Sequence, residues 1–327
     1  RLVGSEMCIR DRNLESNFAQ NLVGTKPLNM PKELIFKIID QTALHYPNAK
    51  ISYAFTEPLV YPHLGESLEY AESKGLFTSM TTNALNLKRK SADLLKGRLN
   101  EIYVSLDGPQ DIHNEIRGHE KSFQKAIEGI QTLKENEDSP KIRIICAITE
   151  WNVGRLTELI ESLAPYAIDE IGFMHTQFIS QNSAAIHNKS RWGEHYPCYD
   201  SNIDEIDFTK MDLEELNREI KAIKEADYPF DVYFSPEIND LATLQEYYLK
   251  PEKIMGSHCG AVYSSVMIKS DGTAIPAHGR CYNLPIGNIY QEELKTIWKS
   301  GTLKKLRSDL NKAGGLFPGC SRCCSGI

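Results

Sequence analysis

Six short runs, 50–55, 76–82, 101–106, 141–149, 168–175 and 230–234, are rich in Ile, Val, Phe, Tyr and Thr and read as β-strands. Helix-period stretches alternate with them at 65–74, 90–96, 122–135, 153–163 and 211–225, where Leu, Ile and Ala return every three or four residues. Another such stretch, 32–45, precedes the first run, and Ser122 stands where a cap would open the helix at 122–135. Strand and helix in regular alternation fold as βα units around a parallel sheet, so the fold class is α/β, either a barrel or a doubly wound sheet. In both, functional groups gather at the carboxyl ends of the strands.

Composition narrows the function classes. A net charge of −7 argues against nonspecific nucleic-acid binding, which needs a basic face, and no run of about eighteen apolar residues exists to cross a membrane. Five of the eight cysteines fall in the last seventy residues, as Cys259, Cys281 and then Cys320-Ser321-Arg322-Cys323-Cys324. CxxC spacing confined to one end suits thiolate metal ligands better than a disulfide scaffold, which points to a reducing cytoplasm. Four thiolates suffice for one iron–sulfur cluster and equally for a tetrahedral zinc.

The predicted strands end in polar residues. The first runs into Thr56-Glu57-Pro58, the second into Thr81-Thr82-Asn83, the third into Ser105-Leu106-Asp107-Gly108-Pro109. Cys146 lies mid-strand among isoleucines and is expected as a buried apolar thiol. The stretch 175–212, with His187, Trp192, His195 and Cys198, is expected to be irregular, its histidines polar surface.

Phe55-Thr56-Glu57-Pro58-Leu59, Thr81-Thr82-Asn83-Ala84, and Ser105-Leu106-Asp107-Gly108-Pro109 followed by His113-Asn114-Glu115-Ile116-Arg117-Gly118 together resemble the radical S-adenosylmethionine (radical SAM) enzymes, in particular their peptide- and protein-modifying branch. The tail, with a predicted hairpin over 262–269 and 273–276 turning at Asp271-Gly272, two helices at 292–299 and 303–310, and the final CxxCC, resembles the SPASM/twitch extension that binds auxiliary iron–sulfur clusters. The resemblance implies a partial (β/α)6 TIM-like barrel lacking its first strand, plus a small C-terminal α+β iron–sulfur module. Its implied boundaries are a core over 13–235, a linker helix over 236–255 and a cluster module over 256–327.

The same resemblance implies the chemistry. S-adenosylmethionine on a four-iron four-sulfur cluster is cleaved reductively to a 5′-deoxyadenosyl radical, which abstracts hydrogen from a substrate, a peptide or protein in this branch; a reductase or a flavodoxin/ferredoxin-type donor supplies the electron. Glu57 would accept from the ammonium of S-adenosylmethionine, Ser105 and Arg117 would hold its carboxylate, and Asn83 would contact the ribose or order the strand end. Cys259, Cys281, Cys320 and Cys323 would ligate one auxiliary cluster, with Cys324 a spare or substitute, and His258 and His278 stand beside it.

The sequence departs from the family in two places. Phe55 and Thr56 replace the two glycines that precede the glutamate, and the CxxxCxxC that ligates the catalytic cluster does not occur. Residues 1–12 read as a translated sequencing adapter joined to a gene fragment, so Cys8 is not a ligand and the chain as written is expected to be a fragment inactive in radical formation. The alternative is a noncatalytic barrel protein whose cysteines hold zinc or an electron-transfer cluster.

Overall fold

The computed structural model describes residues 16–22, 24–201 and 207–323; the adapter-like residues 1–12 and Cys324 lie outside them. In chain order the first elements are α1 (Asn17–Leu22), α2 (Lys32–His45), β1 (Lys50–Tyr53), α3 (Leu64–Ser73), β2 (Phe77–Thr82), α4 (Leu87–Lys96), β3 (Glu101–Ser105), α5 (Gln110–Arg117), α6 (Ser122–Lys134), β4 (Lys141–Ile148) and α7 (Leu156–Leu163). They are followed by β5 (Glu170–His175), α8 (Gln181–Lys189), α9 (Leu213–Glu225), β6 (Asp231–Ser235), α10 (Leu241–Leu249), α11 (Ala261–Ser264), β7 (Val266–Ile268), β8 (Thr273–Pro276), β9 (Gly287–Asn288), α12 (Leu294–Trp298) and α13 (Gly301–Lys312). Contacts divide the described residues into two units, one from Pro47–Thr176 and Phe208–Leu244, the other from 16–46, Gln177–Asp207 and the chain from Gln245 on.

The first unit is a six-stranded parallel sheet in the order β1-β2-β3-β4-β5-β6, the strand sequence expected of the partial barrel. Alternation sets its two faces. Along β4, Ile142, Ile144, Cys146 and Ile148 are fully buried while Arg143, Ile145 and Ala147 between them are half-buried. The register places Tyr103 beside Arg143 and Gly172 beside Ile145, so Ser105, Tyr103 and Arg143 share the less apolar face. Ion pairs line that face near the strand starts, from Lys50 Nζ to Glu101 (2.6 Å), Arg143 to Glu101 (3.1 Å) and Arg143 to Glu170 (2.6 Å). Burial opposes ionisation of Glu101, but Lys50 and Arg143 hold its carboxyl below the ordinary value. Ser79 Oγ donates to Ser52 Oγ at 3.1 Å, adding hydroxyls to the charges on this face.

The second unit is smaller-grained. A three-stranded antiparallel sheet, β7-β8-β9, turns at Asp271-Gly272 with Gly272 at φ +82°, a conformation glycine adopts without strain. The strand expected over 262–269 is corrected: Ala261–Ser264 wind into α11, and only Val266–Ile268 pair. Arg307 Nε donates to the Val262 carbonyl at 2.8 Å and Val262 is buried, so the turn is held from α13. Helix α2 packs on α12, and the η-type turn Pro318–Cys320 packs on α8.

Two further expectations change. The stretch 175–212 is not irregular throughout: Ser180 Oγ accepts from Ser183 N and starts α8, burying Ala184 and His187. Ser122 does not cap α6; Asn114 Oδ1 accepts from Phe123 N at 3.0 Å and from Ser122 Oγ at 2.8 Å, a cap supplied from α5.

Candidate functional site

Within the first unit the polar strand ends meet. Glu57 follows β1 and is buried; its Oε1 accepts from Leu59 N (3.1 Å) and Thr82 Oγ1 (2.6 Å), its Oε2 from Asn83 N (2.9 Å). The carboxylate therefore joins the end of β1 to the end of β2. Burial raises the Glu57 carboxyl above its ordinary value, against those three hydrogen bonds and the positive field of Arg117. Asn83 is turned inward, with Oδ1 accepting from Leu85 N at 3.0 Å. Phe55, where the resembled family has glycine, sits at φ +71°, and Ala84 at φ +60°. For a side chain with a Cβ this costs about 1 kcal/mol, which explains why glycine suits the first position.

Arg117 ends α5 and folds back on the end of β3. Its Nε donates to Asp107 Oδ2 at 2.5 Å, with both side chains buried. Its Nη1 is buried too and has no hydrogen-bond partner among the described residues. Asp107 is itself fixed: its backbone N–H donates to His113 Nδ1 at 3.0 Å, and its carbonyl accepts from Asn152 Nδ2 at 2.8 Å. Burial pushes His113 down to about 4, Asp107 opposing and Arg117 adding to the shift, so the imidazole is neutral at pH 7. Ser105 closes β3 and is buried. An unmatched, buried guanidinium edge suits a carboxylate.

Within the second unit, Cys259, Cys281, Cys320 and Cys323 line one cavity of about 60 Å³. Among the described residues no three His, Cys, Asp or Glu side chains close tightly enough to hold a single metal ion; these thiols stand around a space instead. The loops that carry them are tied by two backbone bonds and one from a side-chain amide. Cys259 N donates to Gly315 O (3.2 Å), Asn21 Nδ2 to Cys281 O (2.7 Å), and Cys323 N to Cys320 O (3.1 Å). Burial raises the Cys281 thiol far above its ordinary range and the Cys320 thiol to about 11, so they stay protonated unless a cationic centre draws the protons off. His278 Nε2 lies 3.5 Å from Cys323 Sγ. The donor set and the cavity fit an iron–sulfur cluster.

Several residues of these sites had no signal in the sequence. His187, expected on the surface, is fully buried and stacks on Tyr282 with ring centroids 5.4 Å apart. Tyr282 Oη lies 3.2 Å from Cys320 Sγ. Cys198 is buried behind Gly319, where an added Cβ would come within 2.5 Å of its sulfur, and burial raises its thiol well above the ordinary value. Asp107 is a strand-end residue as expected, but its ion pair with Arg117 had no signal in the sequence. Cys146 is buried among apolar residues as expected, and Cys8 and Cys324 are outside the described residues.

A family model described as the radical SAM superfamily matches residues 8–172, half of the chain. The chain belongs to the radical SAM superfamily. A second model, SPASM, described as an iron-sulfur cluster-binding domain, matches residues 259–324, the region that holds the four cavity cysteines. Radical SAM and SPASM domains imply four-iron four-sulfur clusters and S-adenosylmethionine as cofactors. Among curated proteins the radical SAM chain is similar to the Fe-coproporphyrin III synthase of Methanosarcina barkeri (strain Fusaro / DSM 804), 27% identical over 150 residues, 46% of this chain and 37% of the relative. It is also similar to the antilisterial bacteriocin subtilosin biosynthesis protein AlbA of Bacillus subtilis (strain 168), 21% identical over 253 residues, 76% of this chain and 49% of the relative. The chain thus spans about half the length, or less, of these relatives. Among solved structures it shares its fold with Streptococcus suis SuiB bound to precursor peptide SuiA (TM-score 0.58, 19% identity, 90% of this chain and 64% of that one). The same holds for native anSMEcpe with bound AdoMet (TM-score 0.57, 14% identity, 84% and 73%). No helix among the described residues is long and apolar enough to cross a membrane.

Proposed function

We propose that these residues form the S-adenosylmethionine site and the auxiliary-cluster module of a radical SAM enzyme that modifies a peptide or protein. Such enzymes cleave S-adenosylmethionine reductively to a 5′-deoxyadenosyl radical that takes a hydrogen atom from the substrate. The CxxxCxxC triplet that ligates the catalytic cluster in this family is not among these residues, so they do not by themselves fit that cluster. What they offer is binding. The observation that carries the reading is the buried Nη1 of Arg117, held by Asp107 and lacking a partner among the described residues.

A carboxylate offers about four acceptor positions, and Glu57 uses three of them internally, which leaves one on Oε2 for the ammonium of S-adenosylmethionine. Arg117 and Ser105 take the carboxylate, and Asn83 faces the ribose. In the second unit Cys259, Cys281, Cys320 and Cys323 hold one auxiliary cluster, Cys324 remaining a spare. The core spans 13–235, the linker helix 236–255 and the cluster module 256–327. A peptide substrate is favoured by the SuiB complex with its precursor peptide and by the bacteriocin-biosynthesis relative. The thiol-bound cluster suits the cytoplasm, with a reductase or a flavodoxin/ferredoxin-type protein as electron donor.

S-adenosylmethionine binding to the purified chain tests the first site, because Glu57, Asn83, Ser105 and Arg117 are all present in it. Arg117→Ala is expected to weaken binding at least tenfold, and Arg117→Lys, which keeps charge but not the fork, nearly as much. Equal affinity of wild type and both variants would remove Arg117 from the site. Anaerobic reconstitution tests the second: iron and acid-labile sulfide in about equal amounts are expected, whereas zinc without sulfide would favour the noncatalytic alternative.

A further inference from the structure

Cysteine sulfurs on a cluster are rarely bare acceptors, and the hydrogen bonds they receive help set the reduction potential. Tyr282 offers such a bond. Its Oη lies 3.2 Å from Cys320 Sγ, the tyrosine being buried in the wall of the four-cysteine cavity. The ring cannot swing away easily. It stacks on His187 at an interplanar angle of 22°, and His187 is itself pinned, with Nε2 2.7 Å from the Tyr196 carbonyl. Gly319 N donates to His187 Nδ1 at 3.4 Å, and the absence of a side chain at Gly319 matters, since a Cβ there would stand 2.5 Å from Cys198 Sγ and push this packing apart. Tyr282 follows Cys281 in the chain and reaches across to Cys320, so one ligand loop is bonded to the sulfur of another.

We infer that Tyr282 is the hydrogen-bond donor that tunes the auxiliary cluster through the sulfur of Cys320, with His187 as the residue that positions it. The inference rests on the four-cysteine cluster reading above. As a ligand, Cys320 is a thiolate with no proton to give, so the phenol must donate. Adding an electron to the cluster increases negative charge on the sulfurs and strengthens the bond from Tyr282. The reduced form is stabilised relative to the oxidised form, and the potential is raised.

The test is a redox titration of the reconstituted holoprotein followed by electron paramagnetic resonance, with iron and sulfide content measured on the same samples. Tyr282→Phe keeps the ring and the stack on His187 while removing the donor. The expected result is unchanged iron and sulfide with a midpoint shifted to lower potential, and a smaller shift in the same direction for His187→Ala. Full loading with an unmoved midpoint in Tyr282→Phe would overturn the role of Tyr282 and leave the cluster reading intact. Failure of the wild type to take up iron and sulfide would overturn the cluster reading itself, and the role of Tyr282 with it. A measurement that needs no variant is the Raman iron–sulfur stretch of the wild type, which should shift in deuterated water when an exchangeable donor proton is hydrogen-bonded to a ligand sulfur; an unshifted band overturns the inference.

Discussion

Asp107 Oδ2 and Arg117 Nε form an ion pair 2.5 Å long in which neither side chain is exposed beyond 7%. Such a pair does little for stability against an apolar replacement, but breaking it by removing one partner strands a buried charge at a cost of about 3–5 kcal/mol. Asp107→Ala is therefore expected to lower the urea midpoint sharply. Arg117→Met in the Asp107→Ala background should restore much of the loss. A double variant as unstable as the single one would mean that Asp107 acts through other contacts.

Acid should destabilise the first unit in a defined window. Burial pushes His113 down to about 4 and His175 down to about 3, against about 6.5 for an unfolded histidine. Below pH 6.5 the unfolded chain binds protons that the folded chain refuses. Stability from these groups is thus fully present above about pH 6.5 and falls as the pH drops toward 4. The slope approaches about 1.4 kcal/mol per pH unit for each histidine. Chemical denaturation at pH 7.5 and 5.5 reads this, and His113→Gln should make the difference smaller. Identical slopes for wild type and variant would show that His113 takes up its proton in the fold as readily as in the unfolded chain.

The cavity cysteines and Cys198 should separate by iron content. Cys281→Ser is expected to lose most of the reconstituted iron, since oxygen is a poor substitute for one of four thiolates. Cys198→Ser, buried behind Gly319 and outside the cavity lining, should retain it. Iron lost from the Cys198 variant and kept by the Cys281 variant would reassign the ligand set.

Arg322, between the two cysteines of the CxxC, is expected to be a stability residue rather than a binding one. It is 3% exposed, and its guanidinium donates to the carbonyls of Tyr247 (2.7 Å), Glu246 (2.8 Å), Lys250 (2.9 Å) and Lys253 (2.8 Å) at the end of α10. A cation there also meets the negative end of the helix dipole. Arg322→Ala should cost on the order of 3 kcal/mol, measured by thermal or urea unfolding of the chain. A loss below about 0.5 kcal/mol would mean that water replaces the arginine without penalty.

The six strands were legible because a buried parallel strand needs a short apolar run and the helices between them need a three-to-four repeat; Ile142, Ile144, Cys146 and Ile148 carry that signal alone. The strand-end residues Glu57, Asn83 and Ser105 followed from the same logic. Asp107 followed too, but its ion pair with Arg117 did not, because nothing in the sequence shows that the partner ten residues on folds back. Helix α8 was hidden by its composition, Gln181 to Lys189 carrying little apolar repeat. Tyr282 and His187 were invisible for a plainer reason. Stacking between residues 95 positions apart leaves no pattern in either segment.

The second unit is threaded from three distant stretches, and this constrains when it can form. Asn21 bonds the carbonyl of Cys281, 260 residues away, and α2 packs on α12. During synthesis the early helices leave the ribosome with their partners still untranslated, and the first unit's sheet is complete long before theirs. Their apolar faces must wait, open to chaperones or to misassociation, until α12 and the CxxC loop emerge. Cluster loading is then a final event in the life of a new chain, and a pause in translation ahead of residue 281 would be a natural point at which molecules are lost.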